Sequence, residues 1–420
     1  MQDDCNQRLD RGEEVINVGS PFNMRGGPLA GFRILDLSSV IMGPYSTQIL
    51  ADYGAEILAI EPVGGAENRG MGPSLAEGLS DVVLNLLRNK KSICLNLKDA
   101  AAREAVLAIV KTCDAVVTNL RTAPLSRLGL TYEDLRAVRP DIVFCQAQGF
   151  RNGTERQADP AYDDIIQSET GLAFAAQQID GIPRLAPTIM ADKVCGTVIA
   201  GAVTAALLHR ERTGEGQFVE VPMFDVMASF VLVEHSAGLN ADQGGAGYQR
   251  ILSPHRGPQK TSDGWINIMP YSRDAYNHLF KAGGRPDLID DPRTAAGKLS
   301  ANAPSLYADL IPCVATRSTE EWAAFCTANS IPFGRIASIE EVAAAFPTRE
   351  HPVAGGYKEI PAPVRFKGTN DTHSPTPEAG VHTRETLMEC GISADQIDDL
   401  FRRGAAFEAT RAAHPEMIPE

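Results

Sequence analysis

In the stretch "RLAPTIMADKVCGT" (184–197), one carboxylate, Asp192, separates an apolar segment from a run, Val194 to Leu208, that carries no charge and is crowded with Gly, Ala and Val. A charge borders a segment that must be buried when it is paired, when it caps a helix, or when it does chemistry. Asp is a preferred helix N-cap. A carboxylate in that position is also held ionised by backbone N–H groups and the helix dipole, so it remains available as an anionic nucleophile at neutral pH. The two readings are compatible, and position alone leaves both open.

The remaining candidates carry weaker chemistry. "GGAENRGMG" (64–72) lacks the GxGxxG spacing of a dinucleotide site. "SSVIMGP" (38–44) occupies the first strand–helix turn with one glycine, and the helix N-terminus that follows suits a ligand. The eight histidines form no HExxH or comparable metal spacing, and no GxSxG elbow is present. No metal site is expected. The basic residues of "RNKKS" (88–92), with Lys98, Arg121 and Arg127, are each more often solvated than ligand-bound.

These residues need a frame to hold them. "FRILDLSS" (32–39), "EILAIE" (56–61), "KSICLNLK" (91–98), "DAVVTNL" (114–120) and "DIVFCQAQGF" (141–150) read as buried strands, with helices between them such as 99–112. Near-continuous apolar strands alternating with helices predict an α/β fold with a parallel sheet covered on both faces. The 194–208 run is apolar on every face, which predicts a helix central in the core, stopped by "HRERTGEGQ" (209–217). After about residue 225 a smaller α+β domain is expected, with a strand at 264–272 and a Ser-x-x-Glu capping box opening a helix at 318–330. "PVRFKGT" (363–369) resembles a strand, and 382–403 a pair of short helices. Residues 1–27 are polar and aperiodic and read as an N-terminal arm.

Composition bounds the function. A chain of 420 residues predicts two domains. A formal net charge of −14 argues against a nucleic-acid or membrane-surface binder, although local Lys and Arg still permit an anionic small ligand. The eight cysteines are scattered without CxxC spacing, which suits free thiols in a reducing compartment. The N-terminus has no apolar signal-type region and the longest uncharged apolar run is 15 residues. A cytoplasmic protein is expected.

The residues also carry a resemblance. "GPLAGFRILDLSSVIMGPYSTQILADYGAEILAIEP", "NKKSICLNLK", "NLRTAPLSRLGLTYEDLRAVRPDIVFCQAQGF", "YDDIIQSETGL", "PTIMADKVCGT" and "RERTGEGQFVEVPMFDVMASF" recur in order. Together they resemble the family III CoA-transferases (the CaiB/BaiF group, with formyl-CoA transferase, carnitine CoA-transferase and α-methylacyl-CoA racemase). The resemblance implies a Rossmann-like large CoA-binding domain over 28–224, completed by 335–420, a small α+β domain over 225–334, and an interlocked homodimer. It implies Asp192 as the nucleophile, with coenzyme A or an acyl-CoA as substrate rather than a tightly bound cofactor. By matching position it implies Val40, Lys98, Asn119 and Arg127 as CoA contacts, and Tyr162 beside the acyl site.

The departures matter as much as the matches. The racemases of the family use a His where this chain has Tyr162, and a Glu where it has Ser272, so the acid–base pair a racemase needs is missing. Formyl-CoA transferase has a glutamine where this chain has Ile41 and a multiple-glycine loop where this chain has "GYQRILSPHRGPQ" (247–259). An acyl-CoA:carboxylate CoA-transferase is therefore expected. An acyl-CoA racemase or isomerase, and a non-catalytic CoA-binding protein in which Asp192 only caps, are the alternatives.

Overall fold

The computed structural model describes residues 26–236, 238–239, 247–367 and 373–409. Most of the expected arm, residues 1–25, lies outside them. Six strands run parallel in one sheet: β1 (Arg33–Leu37), β2 (Glu56–Glu61), β3 (Lys90–Leu95), β4 (Ala115–Thr118), β5 (Val143–Gln148) and β6 (Phe218–Pro222). A seventh, Ala406–Phe407, pairs antiparallel with β3. The order is Ala406–Phe407, β3, β2, β1, β4, β5, β6.

Alternation sends Ile34 of β1 to one face and Leu35 to the other, and each face carries its own core. One face is covered by α1 (Met42–Asp52) and α5 (Met190–Thr213), the other by α2 (Ala100–Val110), α3 (Thr122–Leu128) and the C-terminal helices Thr383–Glu389 and Ala394–Arg402. Two further helices bear on the site, α4 (Asp163–Glu169) and α6 (Met223–His235).

A separate core lies beyond α6. The three-stranded antiparallel sheet Phe333–Arg335, Trp265–Ile268, Gln259–Lys260 packs against helices Arg273–Ala282, Leu299–Val314 and Thr319–Ala328. The last helix is opened by the expected capping box, Ser318 with Glu321. The expected boundary at 224/225 falls inside α6, whose Met223 and Met227 belong to the first core.

Two expectations are corrected. α5 is not buried all round: Cys195, Ile199, Val203 and Leu207 face the core, whereas Val198, Gly201, Ala205 and Leu208 are exposed in the single chain. A period of 3.6 residues turns an all-apolar run onto both faces regardless of composition. α5 is also the one helix among the described residues long and apolar enough to cross a membrane, but here its inner face packs on α1 and the sheet. The second correction is at 363–367, which forms no strand; 368–369 lie outside the described residues. Pro361 and Pro363 remove two backbone donors at its start.

Candidate active site

Because β1 is flanked by β2 on one side and β4 on the other, the chain switches direction of winding beside β1. The crevice at the C-terminal end of such a switch is where open α/β sheets bind ligands. The turn after β1 lies there, and it is strained: Val40 has φ +64°, unfavourable for a β-branched side chain.

Several groups hold the turn in that state. Asn119, following β4, accepts from Ser39 N–H at 3.0 Å and donates to the Ser39 carbonyl at 2.9 Å. Asn68 donates to the Val40 carbonyl at 3.1 Å. Below the turn Asp36 accepts from Ser38 N–H and from the hydroxyls of Ser38 and Thr47. Fully buried Lys90 donates to the Pro44 carbonyl at 2.8 Å and to Thr47 at 2.7 Å, 3.3 Å from Asp36. Burial pulls the Lys90 pKa down, and the Asp36 charge opposes it. Gly43 completes the support, since a Cβ there would stand 2.1 Å from that of Ser38.

α5 crosses this turn at very short range. A Cβ on Gly196 would meet the Met42 carbonyl oxygen at 2.8 Å and the Tyr45 ring at 3.0 Å. Asp192 lies four residues before Gly196, on the same helix face and about 6 Å further toward the helix start. It therefore lies toward the start of α5 from the close approach to Met42, the first residue of α1.

Asp192 is not the N-cap. α5 starts at Met190 with Ile189 at the cap position and no side-chain cap, so Asp192 is the third helical residue. Its N–H donates to Asp163 Oδ1 at 3.0 Å. No ion pair or hydrogen bond to the Asp192 carboxylate is found among the described residues. The expected holding-down of its pKa does not occur either: burial first, and then the Asp163 charge, push it up to about 6. Desolvation and a like charge both favour the neutral acid at this half-buried site. Cys195, one turn on, is pushed up to about 12 by burial and by the two carboxylates, so it stays a thiol and does not compete as a nucleophile.

The other expected residues spread along the same sheet edge. Lys98 follows β3 and Arg127 ends α3 after β4, both exposed. The strands they follow, β3 and β4, stand three spacings apart in the sheet, about 14 Å. Tyr162 precedes α4, is 71 % exposed and adjoins Asp163. Val40 and Asn119 are brought together at the turn, but the Asn119 amide is occupied by Ser39. Ser272 serves as N-cap of the Arg273–Ala282 helix, accepting from Ala275 N–H at 3.1 Å. Among the described residues, no three His, Cys, Asp or Glu are placed to hold a metal. Sequence alone does not single out Asp163 or Asn68, and it reads the basic residues of "RNKKS" as solvated ones, whereas Arg88, Lys90 and Lys91 are buried. "YDD" signals a helix start locally, but nothing local says that its first acid serves a helix 29 residues on.

Comparison with known proteins agrees with this geometry. The profile of CoA-transferase family III matches residues 29–383. The succinyl-CoA:glutarate CoA-transferase of Mus musculus is 31% identical over 382 residues, covering 86% of either chain. The acetyl-CoA:oxalate CoA-transferase of Acetobacter aceti is 32% identical over 359 residues, covering 83% of this chain and 91% of its own. Among solved structures, Rv3272 from Mycobacterium tuberculosis superposes with a TM-score of 0.73 at 29% identity, covering 85% of this chain and 98% of its own. A CAIB/BAIF family protein from Brucella suis does so with 0.73 at 25% identity, over 87% and 99%.

Proposed function

The chain belongs to CoA-transferase family III, and from that premise we propose that Asp192 carries CoA transfer between an acyl-CoA donor and a small free carboxylic acid. The Asp192 carboxylate attacks the donor thioester carbonyl, forming a mixed anhydride and expelling CoA thiolate. The thiolate attacks the aspartyl carbonyl, releasing the donor acid and leaving an aspartyl-CoA thioester. The acceptor carboxylate attacks that thioester and expels CoA thiolate again. The thiolate then takes the acceptor's acyl carbon, giving the new acyl-CoA and free Asp192. Atoms and charge balance at each step, with no redox partner.

One observation carries this reading: a half-buried carboxylate without a cationic partner among the described residues, one helical turn from the glycine that seats α5 on α1. Desolvation raises the nucleophilicity of a carboxylate, and a pKa of about 6 still leaves it ionised at neutral pH. Lys98 and Arg127 are read as phosphate partners of CoA. Val40 and Asn119 shape the turn against which the pantetheine arm lies, and Tyr162 borders the acyl group. We read 28–224 with 335–420 as the CoA-binding domain, joined through α6, which packs on it, to the small domain within 225–334. The exposed apolar residues of α5 and α6, including Leu208, Phe230 and Val233, favour a second, interlocked copy of this chain. The free thiols at all seven described cysteines suit a reducing, cytoplasmic setting.

The test is direct. Incubated with donor acyl-CoA alone, the enzyme is expected to gain CoA mass on the peptide containing Asp192, and hydroxylamine to convert that carboxyl to a hydroxamate. In heavy water a 2-methylacyl-CoA is expected to keep its α-hydrogen, since Ser272 is engaged as a helix cap and Tyr162 offers no imidazole. Enzyme-dependent α-deuteration with no adduct would replace transfer by isomerisation.

A further inference from the structure

Some arginines around the small core pair with acids, while Arg273 and Arg317 donate to Thr294 and to the Ala282 carbonyl. Arg293 pairs with Asp291 and Asp309 at 2.8 and 2.7 Å, and Arg285 with Asp287 at 2.8 Å. Arg250 does not. It lies in the 247–259 segment, half-buried, and no Asp or Glu among the described residues pairs with it. Its partners are phenols instead. Arg250 Nε donates to Tyr307 Oη at 3.0 Å, and its Cζ stands 5.1 Å from the centre of the Tyr271 ring.

The cluster is built from two directions. Tyr307 is buried on the helix Leu299–Val314 and fixes the base. Tyr271, 59 % exposed, and Tyr248, whose hydroxyl is 2.8 Å from Ser300 Oγ, stand at the rim. Tyr248 is in turn anchored to the end of α6, its N–H donating to His235 Nδ1 at 3.3 Å.

The chemistry of this arrangement is one-sided. A guanidinium has only donors, and a phenol that accepts from it keeps its own proton to donate. The guanidinium N–H groups not used by Tyr307, with the rim phenol of Tyr271, therefore offer donors that no Asp or Glu among the described residues meets. A planar oxyanion that takes two parallel N–H bonds, with a hydroxyl at its flank, satisfies all of them. From this we infer that Arg250, with Tyr248, Tyr271 and Tyr307, forms a carboxylate-binding site in the small core, and that its ligand is a carboxylic acid of the substrate class. The choice of acid rests on the CoA-transferase reading; the oxyanion chemistry does not. CoA phosphates are the other source of oxyanions, and the experiment separates them.

Glutarate and CoA are each titrated by calorimetry into the full-length protein. Arg250→Gln is expected to weaken glutarate binding about tenfold, as for loss of a charge-assisted pair, and to leave CoA binding unchanged. Arg250→Lys keeps the charge but loses the fork, and is expected to recover less than half of that loss on a logarithmic scale. Tyr307→Phe is expected to weaken glutarate roughly twofold to threefold, as for loss of one orienting hydrogen bond. Should Arg250→Gln fail to fold by thermal unfolding, the Lys and Phe variants carry the test. Glutarate affinity unchanged in those variants would overturn the site, as would a loss of CoA affinity in place of glutarate affinity. Asp192→Asn is expected to bind glutarate at this site like the native protein. An Asp192→Asn enzyme that still transfers CoA would overturn the mechanism while leaving the Arg250 result standing.

Discussion

Asp163 accepts the backbone N–H of Asp192 at 3.0 Å and at the same time raises the pKa of the Asp192 side chain. One carboxylate thus fixes the start of α5 and loads the other with charge. The first effect needs an acceptor oxygen; the second needs a negative charge. The two are separable by a single substitution.

Asp163→Asn keeps an acceptor for Asp192 N–H and removes the charge. Asp192 must be ionised to attack, so native transfer is expected to fall as pH drops through about 6 and to level off above neutrality. In the Asn variant the midpoint is expected to move down, because the electrostatic cause is gone while burial remains. Rate–pH profiles under saturating substrate check this, and an unmoved or raised midpoint would refute it.

Asp192→Asn is expected to abolish turnover by several orders of magnitude while stabilising the fold. The folded-state pKa of this acid lies above its unfolded value, so ionisation costs stability above about pH 6, and that cost is absent below the unfolded pKa. Asn removes it, a gain of up to about 3 kcal/mol at neutral pH that disappears in acid. Denaturant unfolding at neutral and acidic pH measures both ends. A destabilised variant at neutral pH would contradict the sign.

Lys98→Ala and Arg127→Ala act on binding alone. Both side chains are exposed, so stability is expected to change by less than about 0.5 kcal/mol. CoA affinity is expected to fall by roughly 1–3 kcal/mol in each, the range for hydrogen bonds to a charged group. Calorimetric titration of CoA, at constant salt, is the measurement. Unchanged affinity in both would remove them from the site.

Two glycines of α5 make a matched pair. Ala is favoured over Gly inside a helix by about 1 kcal/mol. At Gly201 nothing of the same chain stands within 4 Å of a new Cβ, so Gly201→Ala is expected to stabilise the single chain. At Gly196 the new carbon would stand 2.8 Å from the Met42 carbonyl oxygen, a backbone atom that cannot swing aside. Gly196→Ala is expected to destabilise by roughly 1–3 kcal/mol and to lower activity by lifting Asp192 off the turn. Thermal melts of the pair decide it; equal shifts would show that the close approach carries no strain.

What the sequence made legible, and what it did not, follows from range. The apolar runs of β1 to β5 and the Ser318 capping box are local, and they appear where their patterns lie. Asp192 was conspicuous because a charge beside a small-residue run is rare. Its electrostatics were not legible: the acid that raises its pKa arrives from α4, and its burial is set by the packed fold. Asn119 illustrates the same limit, since only the fold reveals that its amide is occupied by Ser39. The outer face of α5 looked like core because residue type records apolarity and not whether a neighbour covers it.

The strand Ala406–Phe407 gives the large sheet an unusual timetable. It covers the free edge of β3, its neighbour Ala405 accepts from Asn96 N–H at 2.8 Å, and Leu387, Ile397 and Leu400 complete the core beneath. During synthesis β1 to β6 leave the ribosome long before these residues exist, and the whole small core is made in between. Until the last segment docks, β3 presents bare hydrogen-bonding groups and an unfilled apolar face, a template for pairing with another nascent chain. Closure over so long a separation is slow. Late truncation should therefore cost solubility well before it touches any residue of the catalytic edge.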